Sequence, residues 1–455
     1  MAKRSCLAII LAAGEGTRMR SAMPKAMHAV AGLPMLGHVL KAAAAAGAGA
    51  RAIVVGPDAD PVRDLVARLA PEATVHEQGE RRGTAHAVLA ARSAFGKPAD
   101  DILILFADTP LITARTISRV RRALANGADM VVTGFHAADP AGYGRLIVEG
   151  KRLVAIREEK DASAAEKKID FCNGGVMGFR GAILKPTLDK IGNNNAKGEY
   201  YLPDAVAVAN ARGLNVVAIG APADEVAGVN SRGQLAHVEG LFQRRAREQA
   251  MAGGVTLIAP STVLFSHDTK VGRDVTIEPN VFLGPGVTVA DNVIIRAFCH
   301  IAGTRIASGA TIGPFARLRP GTDIGPNVHI GDFVEVKAAR IDDGAKANHL
   351  AYIGDAHVGA GANIGAGTIT ANYDGFAKHR TEIGADVSIG SNAVLVAPVR
   401  VGAGAVVGAG SVITHDVPAD ALAVARGRQV DKADWARLNR EIRGAGGNQI
   451  ARKSR

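Results

Sequence analysis

The chain has 455 residues, 47% of them hydrophobic and only 4% aromatic, with 54 glycines and a formal net charge of +11. Such a length exceeds one ordinary core, so at least two domains are expected. The basic balance suits anionic ligands, but the cations are dispersed and no base-reading motif is present, which argues against a nucleic-acid partner. Cys6, Cys172 and Cys299 have no paired spacing, which excludes a disulfide scaffold and fits a reducing compartment. Lys3-Arg4 leads only into a short apolar run that Gly14-Glu15-Gly16 ends, unlike a signal peptide, and no stretch reaches the length of a membrane span. The expectation is a soluble cytoplasmic protein with no integral membrane association.

Taken in order, Cys6–Ala13 reads as a buried strand, followed by strand-like runs at Ala52–Val55, Thr74–Glu77, Ile102–Ala107 and Met130–Thr133. Helical patterns lie between them at Met35–Ala46, Pro61–Leu69, Thr84–Ser93 and Ala114–Asn126. This alternation predicts an α/β, Rossmann-like domain: a mostly parallel sheet, helices on both faces, and ligands at the carboxyl ends of the strands. From Ser231 to Met251 the chain is polar and helix-prone, with Leu235, Val238, Leu241 and Phe242 at helical spacing, and Gly253-Gly254 closes it. The domains are therefore drawn as 1–230, a helical linker at 231–252, and 253–455.

In the last of these an aliphatic residue recurs at every sixth position. Val271, Ile277, Leu283, Val289, Ile295 and Ile301 form one register, Ile306 to Val336 a second, and Ile383 to Ile413 a third. Hexapeptide repeats of this kind predict a left-handed parallel β-helix, with three short strands per coil and the aliphatic side chain inward on each face. Matches are poor around Ala297 to Thr304, and the register breaks between Lys337 and Glu382. Breaks in a repeat map to functional faces. Beyond Thr414 an irregular tail is expected, ending in the basic, solvated Arg452-Lys453-Ser454-Arg455.

Chemistry is concentrated in two places. In the first domain, Leu11-Ala12-Ala13-Gly14-Glu15-Gly16-Thr17-Arg18 follows the first strand directly. Its glycines let backbone N–H groups approach a phosphate and Arg18 adds a cation, although a lone Gly-x-Gly fits a plain structural turn equally well. It is accompanied by Pro24-Lys25, by Gln78 ahead of Gly83-Thr84, and by Leu105-Phe106-Ala107-Asp108 at a strand end. Further on come Gly142-Tyr143-Gly144-Arg145, Glu158, Asn173-Gly174-Gly175, Asn193 to Tyr201, and Gly228-Val229-Asn230.

Together these motifs resemble the sugar-1-phosphate nucleotidyltransferases, and most of all the bifunctional bacterial N-acetylglucosamine-1-phosphate uridyltransferase/glucosamine-1-phosphate acetyltransferase family. The resemblance implies attack of a sugar 1-phosphate on the α-phosphorus of UTP, with Mg²⁺ held by Asp108 and Asn230 and charge offset by Arg18 and Lys25. Both reactants are anions, so cations must align them, and no general base is needed. The same resemblance places the uridine part against Leu11, Ala12, Ala13, Gly14, Gln78, Gly83 and Thr84, beside Phe106 and Ala107. It places N-acetylglucosamine 1-phosphate against Gly144, Glu158 and Asn173. Taken singly, Asp108 could cap the next helix, Glu158 could be a surface charge and Asn173 a turn residue.

In the solenoid, Gly313 to Gly321, Phe333 to Lys337, Lys346 to Gly354, Asn363 to Thr368, Ala371 to Gly375, Gly390-Ser391 and Ala423 to Arg426 resemble the acetyltransferase half of the same family. The implied reaction moves acetyl from acetyl-CoA to the amine of glucosamine 1-phosphate. An ammonium cannot attack a thioester, and His349 has the side chain suited to removing its proton near neutrality. By resemblance Arg319, Lys337, Tyr352, Asn363 and Lys378 hold the sugar phosphate. Ala366, Asn372, Tyr373, Ser391, Ala409 and Arg426 contact acetyl-CoA, and Glu335 supports the histidine. Members of the family are homotrimers through the β-helix, and a homotrimer is expected here. Two other readings stay open from sequence: a single-activity nucleotidyltransferase with a structural or regulatory β-helix, and a non-catalytic trimeric scaffold.

Overall fold

The structure is a computed structural model that describes residues 4–96, 98–195 and 198–452. Lys3, Ala196 and Lys197, and residues 453–455 of the basic tail, lie outside the described residues. Contacts divide the chain into two compact units, Met1–Thr288 and Val289–Arg455.

The first unit is built on a sheet whose order is Val216–Gly220, Met130–His136, Phe171–Arg180, Asp101–Phe106, Cys6–Ala12, Ala50–Val55, Thr74–Glu77. Every neighbouring pair is parallel except those of Phe171–Arg180, which runs antiparallel to both its neighbours. Side chains alternate across a strand, so Cys6–Ala12 feeds two cores at once. Ala8 and Ile10 pack with Leu36 and Val39 of the helix Met35–Ala45, Leu65 of Asp60–Leu69 and Val120 of Ala114–Ala125. Leu7 and Ile9 face the other way, onto Val88 of Thr84–Ala90, Leu184 of Gly181–Leu188 and Val206 of Ala205–Ala211. Cys6–Ala12 is thus covered on both faces, as its unbroken hydrophobic run demands.

The polar helix spans Arg232–Ala252, with Ser231 at its N-cap accepting from the Gln234 N–H at 3.3 Å. Its Gln243 is buried and bonded to Phe265 in both directions, donating to the carbonyl at 2.7 Å and accepting from the N–H at 2.8 Å. The first hexapeptide strands, Thr256–Leu257 and Leu264–Phe265, pair in parallel with Thr276–Ile277 and Phe282–Leu283.

The second unit is a β-helix of three parallel sheets. Ile294–Ile295, Thr311–Ile312, His329–Asp332, Lys346–His349, Asn363–Ile364, Ser388–Ile389, Val406–Val407 and Leu422–Ala423 stack in one of them. The inward residues Ile295, Ile312, Ile330, Ile364, Ile389 and Val407 are all buried. The poorly matching stretch around Ala297 to Thr304 is regular coil, with Ile301 and Ile306 buried in their turn.

The six-residue register does break between Lys337 and Glu382, since the steps from Val336 to Ile341 and from Ile353 to Val358 are each one residue short. The coil itself continues through the break: Ile341, Ala347, Ile353, Val358, Ile364 and Thr370 take the inward positions, all buried. The segment between the strands Ile369–Ala371 and Thr381–Ile383 is what leaves the coil. One expectation is corrected: the tail is not irregular, since Leu422–Ala423 adds a paired strand on Val406–Val407 and a helix spans Trp435–Arg452.

Candidate active sites

The parallel strands Cys6–Ala12, Ala50–Val55 and Asp101–Phe106 end side by side, so the loops that follow them meet. A cavity of about 360 Å³ opens there, lined by Leu11, Ala12, Ala13, Gly14, Lys25, Gln78, Gly83, Thr84, Phe106, Ala107 and Asp108. These are residues singled out from the sequence, brought together from five separate segments. Gln78 is buried and donates to the Gly83 carbonyl at 3.1 Å. Gly83 has φ of 106°, and a Cβ there would stand 2.5 Å from the Tyr200 carbonyl oxygen, so the approach of these two segments requires glycine.

At the polar end of the cavity the Lys25 ammonium lies 2.5 Å from Asp108 Oδ2 and 3.0 Å from Asn230 Oδ1. Asn230 is delivered there because the Val229 N–H donates to the Asp108 carbonyl at 2.9 Å. Asp108 is no helix cap: that task falls to Thr113, which accepts from the Thr116 N–H. Two oxygens that already converge on one cation are a fitting pair for Mg²⁺, which takes few protein oxygens and leaves its remaining positions to water and phosphate. Arg18 stands exposed on the short turn Thr17–Met19, outside the cavity lining.

Gly144, Glu158 and Asn173 form a second group. The Asn173 N–H donates to the Gly144 carbonyl at 2.8 Å, and a Cβ on Gly144 would meet Glu158 Oε1 at 3.1 Å. Burial, with Asp161 and Asp204 nearby, pushes the Glu158 carboxyl above its ordinary range. Sequence reasoning missed Arg81, and it gave Glu199 and Tyr201 of the Asn193 to Tyr201 motif no site of their own; all three also line the cavity. Arg81 donates through Nε to the Ala13 carbonyl at 3.0 Å and pairs with Glu15 at 2.5 Å, bracing the glycine loop. Its place between Gln78 and Gly83 was the available signal.

In the second unit the residues of the other site come from successive coils. Arg319 and Glu335 pair at 2.9 Å, and Glu335 also faces Arg317. That corrects the expected role of Glu335, whose partners are arginines and not His349. Lys337 lies 3.4 Å from Asp355 with Lys378 beside it, and this like-charged neighbour holds Lys378 below the ordinary lysine range. Two lysines side by side suit a dianionic phosphate. Tyr352 stacks in register on Glu335 in the same sheet, whereas Asn363 stands on the neighbouring sheet between Lys346 and Ser388. Asn372 bonds to Asp355, and the Tyr373 hydroxyl donates to the Gly375 carbonyl at 2.6 Å.

Ala366, Ser391 and Ala409 occupy successive corners, linked by Asn392 N–H to Ala366 carbonyl and Gly410 N–H to Ser391 carbonyl bonds. Arg426 reaches the Ala409 carbonyl at 2.9 Å. His349 Nδ1 is hydrogen-bonded to Asp332, a residue the sequence reading passed over. The two are 17 positions apart, one coil of the helix, and a coil-by-coil alignment would have paired them.

Fold and sites together define a nucleotidyltransferase domain continued into a hexapeptide-repeat transferase. Residues 8–169 match the family described as MobA-like NTP transferase domain, and residues 268–303, 303–338 and 380–415 match the bacterial transferase hexapeptide family. Over 443 residues the chain is 61% identical to the "Bifunctional protein GlmU" of Xanthobacter autotrophicus, covering 97% of this chain and 99% of that protein. It is 60% identical to the one from Azorhizobium caulinodans over 444 residues, 98% and 99% of the two chains. A third relative of that name, from Rhodopseudomonas palustris strain BisB5, is 57% identical over 441 residues, 97% of this chain and 98% of its own. The chain belongs to the bifunctional GlmU family. Among the described residues no helix is long and apolar enough to cross a membrane.

Proposed function

We propose that this chain makes UDP-N-acetylglucosamine in two transfers. The β-helix moves acetyl from acetyl-CoA to glucosamine 1-phosphate, and the N-terminal domain then joins the product to UTP with release of pyrophosphate. The observation that supports this reading is that one chain carries two separate charged clusters. One is the Lys25, Asp108 and Asn230 cluster at a nucleotide-sized cavity. The other is the Lys337 and Lys378 pair on the solenoid that also carries His349.

In uridylyl transfer the glycine loop and Gln78 seat the uridine, while Lys25 and Arg18 offset the charge of two anions brought together. Asp108 and Asn230 would hold Mg²⁺, which when bound supplies charge neutralisation at the phosphates. Gly144, Glu158 and Asn173 orient the sugar, whose phosphate oxygen is nucleophilic without a base. In acetyl transfer Arg319, Lys337 and Lys378 fix the sugar phosphate and His349 takes the amine proton. We further infer a homotrimer through the β-helix and a cytoplasmic location, the second because both acetyl-CoA and UTP are cytosolic metabolites in bacteria.

The test supplies glucosamine 1-phosphate, acetyl-CoA, UTP and Mg²⁺ and follows free CoA and pyrophosphate separately. Both are expected. Pyrophosphate only after addition of N-acetylglucosamine 1-phosphate, with no CoA released, would leave a single-activity nucleotidyltransferase. A monomeric mass at micromolar concentration with acetyl transfer intact would remove the trimer.

A further inference from the structure

His349 and Asp332 each sit just before a corner of the β-helix. The next residues, Leu350 and Phe333, have φ of 54° and 55°, so both side chains leave the coil at the same bend. Their strands are in parallel register, with Asp332 opposite His349, and the Leu350 N–H donates to the Asp332 carbonyl at 2.9 Å. The backbones are therefore locked one above the other, and the carboxylate meets imidazole Nδ1. Among the described residues no lysine or arginine pairs with Asp332, in contrast to Glu335, which two arginines hold. The His349 side chain is 61% exposed, so its other nitrogen remains open to a substrate.

We propose that Asp332 is the positioning residue of acetyl transfer. This rests on the acetyltransferase reading above and goes beyond it. An ionised carboxylate only accepts hydrogen bonds, so Nδ1 must carry the proton and Nε2 the lone pair. The amine of glucosamine 1-phosphate attacks the thioester carbonyl carbon as its proton passes to Nε2. The C–N bond forms, the C–S bond breaks, and the departing thiolate takes the proton as free CoA. Asp332 stays ionised throughout and stabilises the imidazolium that forms in between. His329 of the preceding coil also lies near His349, and burial together with Arg296, Lys346 and His349 disfavours it as a cation. Asp332 is thus the anionic member of this corner.

The experiment measures steady-state CoA release against pH for the full-length wild type, Asp332→Ala, Asp332→Asn, Asp332→Glu, His349→Ala and the Asp332→Ala/His349→Ala double variant. Pyrophosphate release and thermal melting accompany each. Asp332→Ala and the near-isosteric Asp332→Asn are expected to lower kcat by roughly 100-fold, the scale of a misdirected general base, with KM for both substrates within about twofold. Asp332→Glu should recover part of the rate, and the double variant should be no slower than His349→Ala. Retention of kcat within about threefold, a rise in KM in place of the fall in kcat, or a double variant well below His349→Ala would overturn the role. A wild-type chain that releases no CoA would overturn the acetyltransferase reading itself, and with it this one.

Discussion

The Lys25 ammonium and the Asp108 carboxylate meet at 2.5 Å, with both side chains largely buried at the end of the nucleotide cavity. Asn230 holds the same ammonium from the other side at 3.0 Å. A cation is therefore wanted between these two oxygens whatever else is bound. Asp108→Ala is expected to abolish pyrophosphate release, by about 100-fold or more, because it removes the charged oxygen and leaves Lys25 unpaired. Asn230→Ala should weaken the same step less and be partly restored by excess Mg²⁺. CoA release should persist in both, and parallel assays of the two products check this. Loss of both activities in a folded protein would contradict independent sites.

Much of this arrangement was legible in the sequence, for a physical reason. Apolar runs ending in Gly14 or Asp108 announce strand ends, and strand ends of a parallel sheet converge. The six-residue ladder likewise dictates its own stacking, because each inward side chain has one place to go. What could not be read was pairing between distant segments. The antiparallel Phe171–Arg180 looks no different from a parallel strand in composition, yet it splits the sheet between Asp101–Phe106 and Met130–His136. Asp332 carried no signal of its own, since its meaning depends on which residue lies one coil above it.

Gly83 tests how closely the nucleotide site is tied to its backbone. With φ of 106° and the Tyr200 carbonyl where a Cβ would stand, Gly83→Ala combines conformational strain with a backbone clash. A cost of about 1–3 kcal/mol is expected, read as a lower melting temperature. The KM for UTP should rise, because the displaced carbonyl of Gly83 is the one that receives Gln78. Unchanged melting and unchanged KM would show that the two segments separate freely.

Glu158 gives a pH dependence of definite sign. Burial first, and then Asp161 and Asp204, raise its folded-state pKa above the unfolded value. Between those two values the folded state binds more protons than the unfolded one, so stability falls as pH rises through that window. Glu158→Gln removes the group that must lose its proton. Its melting temperature should match wild type at acid pH and exceed it above the ordinary carboxylate range, which melting curves at several pH values would show. The same change should raise the KM for N-acetylglucosamine 1-phosphate roughly tenfold, the loss of about 1.4 kcal/mol of binding. A stability difference of opposite sign would mean that Glu158 is held by partners that favour its charge.

The last prediction concerns how far damage travels along the solenoid. Ile330 is fully buried in the β-helix interior and stacks between Ile312 and Ala347. Two residues on, the same strand presents Asp332 to His349. Ile330→Ala leaves a cavity beneath that strand and is expected to destabilise the β-helix by about 2–5 kcal/mol. Ala347 is already small and its coil neighbours are backbone-locked, so little collapse can fill the space. Each coil contacts chiefly the coils next to it, which confines the disturbance to the neighbours of Ile330. Acetyl transfer should therefore fall, because the corner that carries Asp332 loosens, while uridylyl transfer by the first unit stays within about twofold of wild type. Calorimetry should show the β-helix transition moving down alone; a matching loss of pyrophosphate release would show that the two units fold as one.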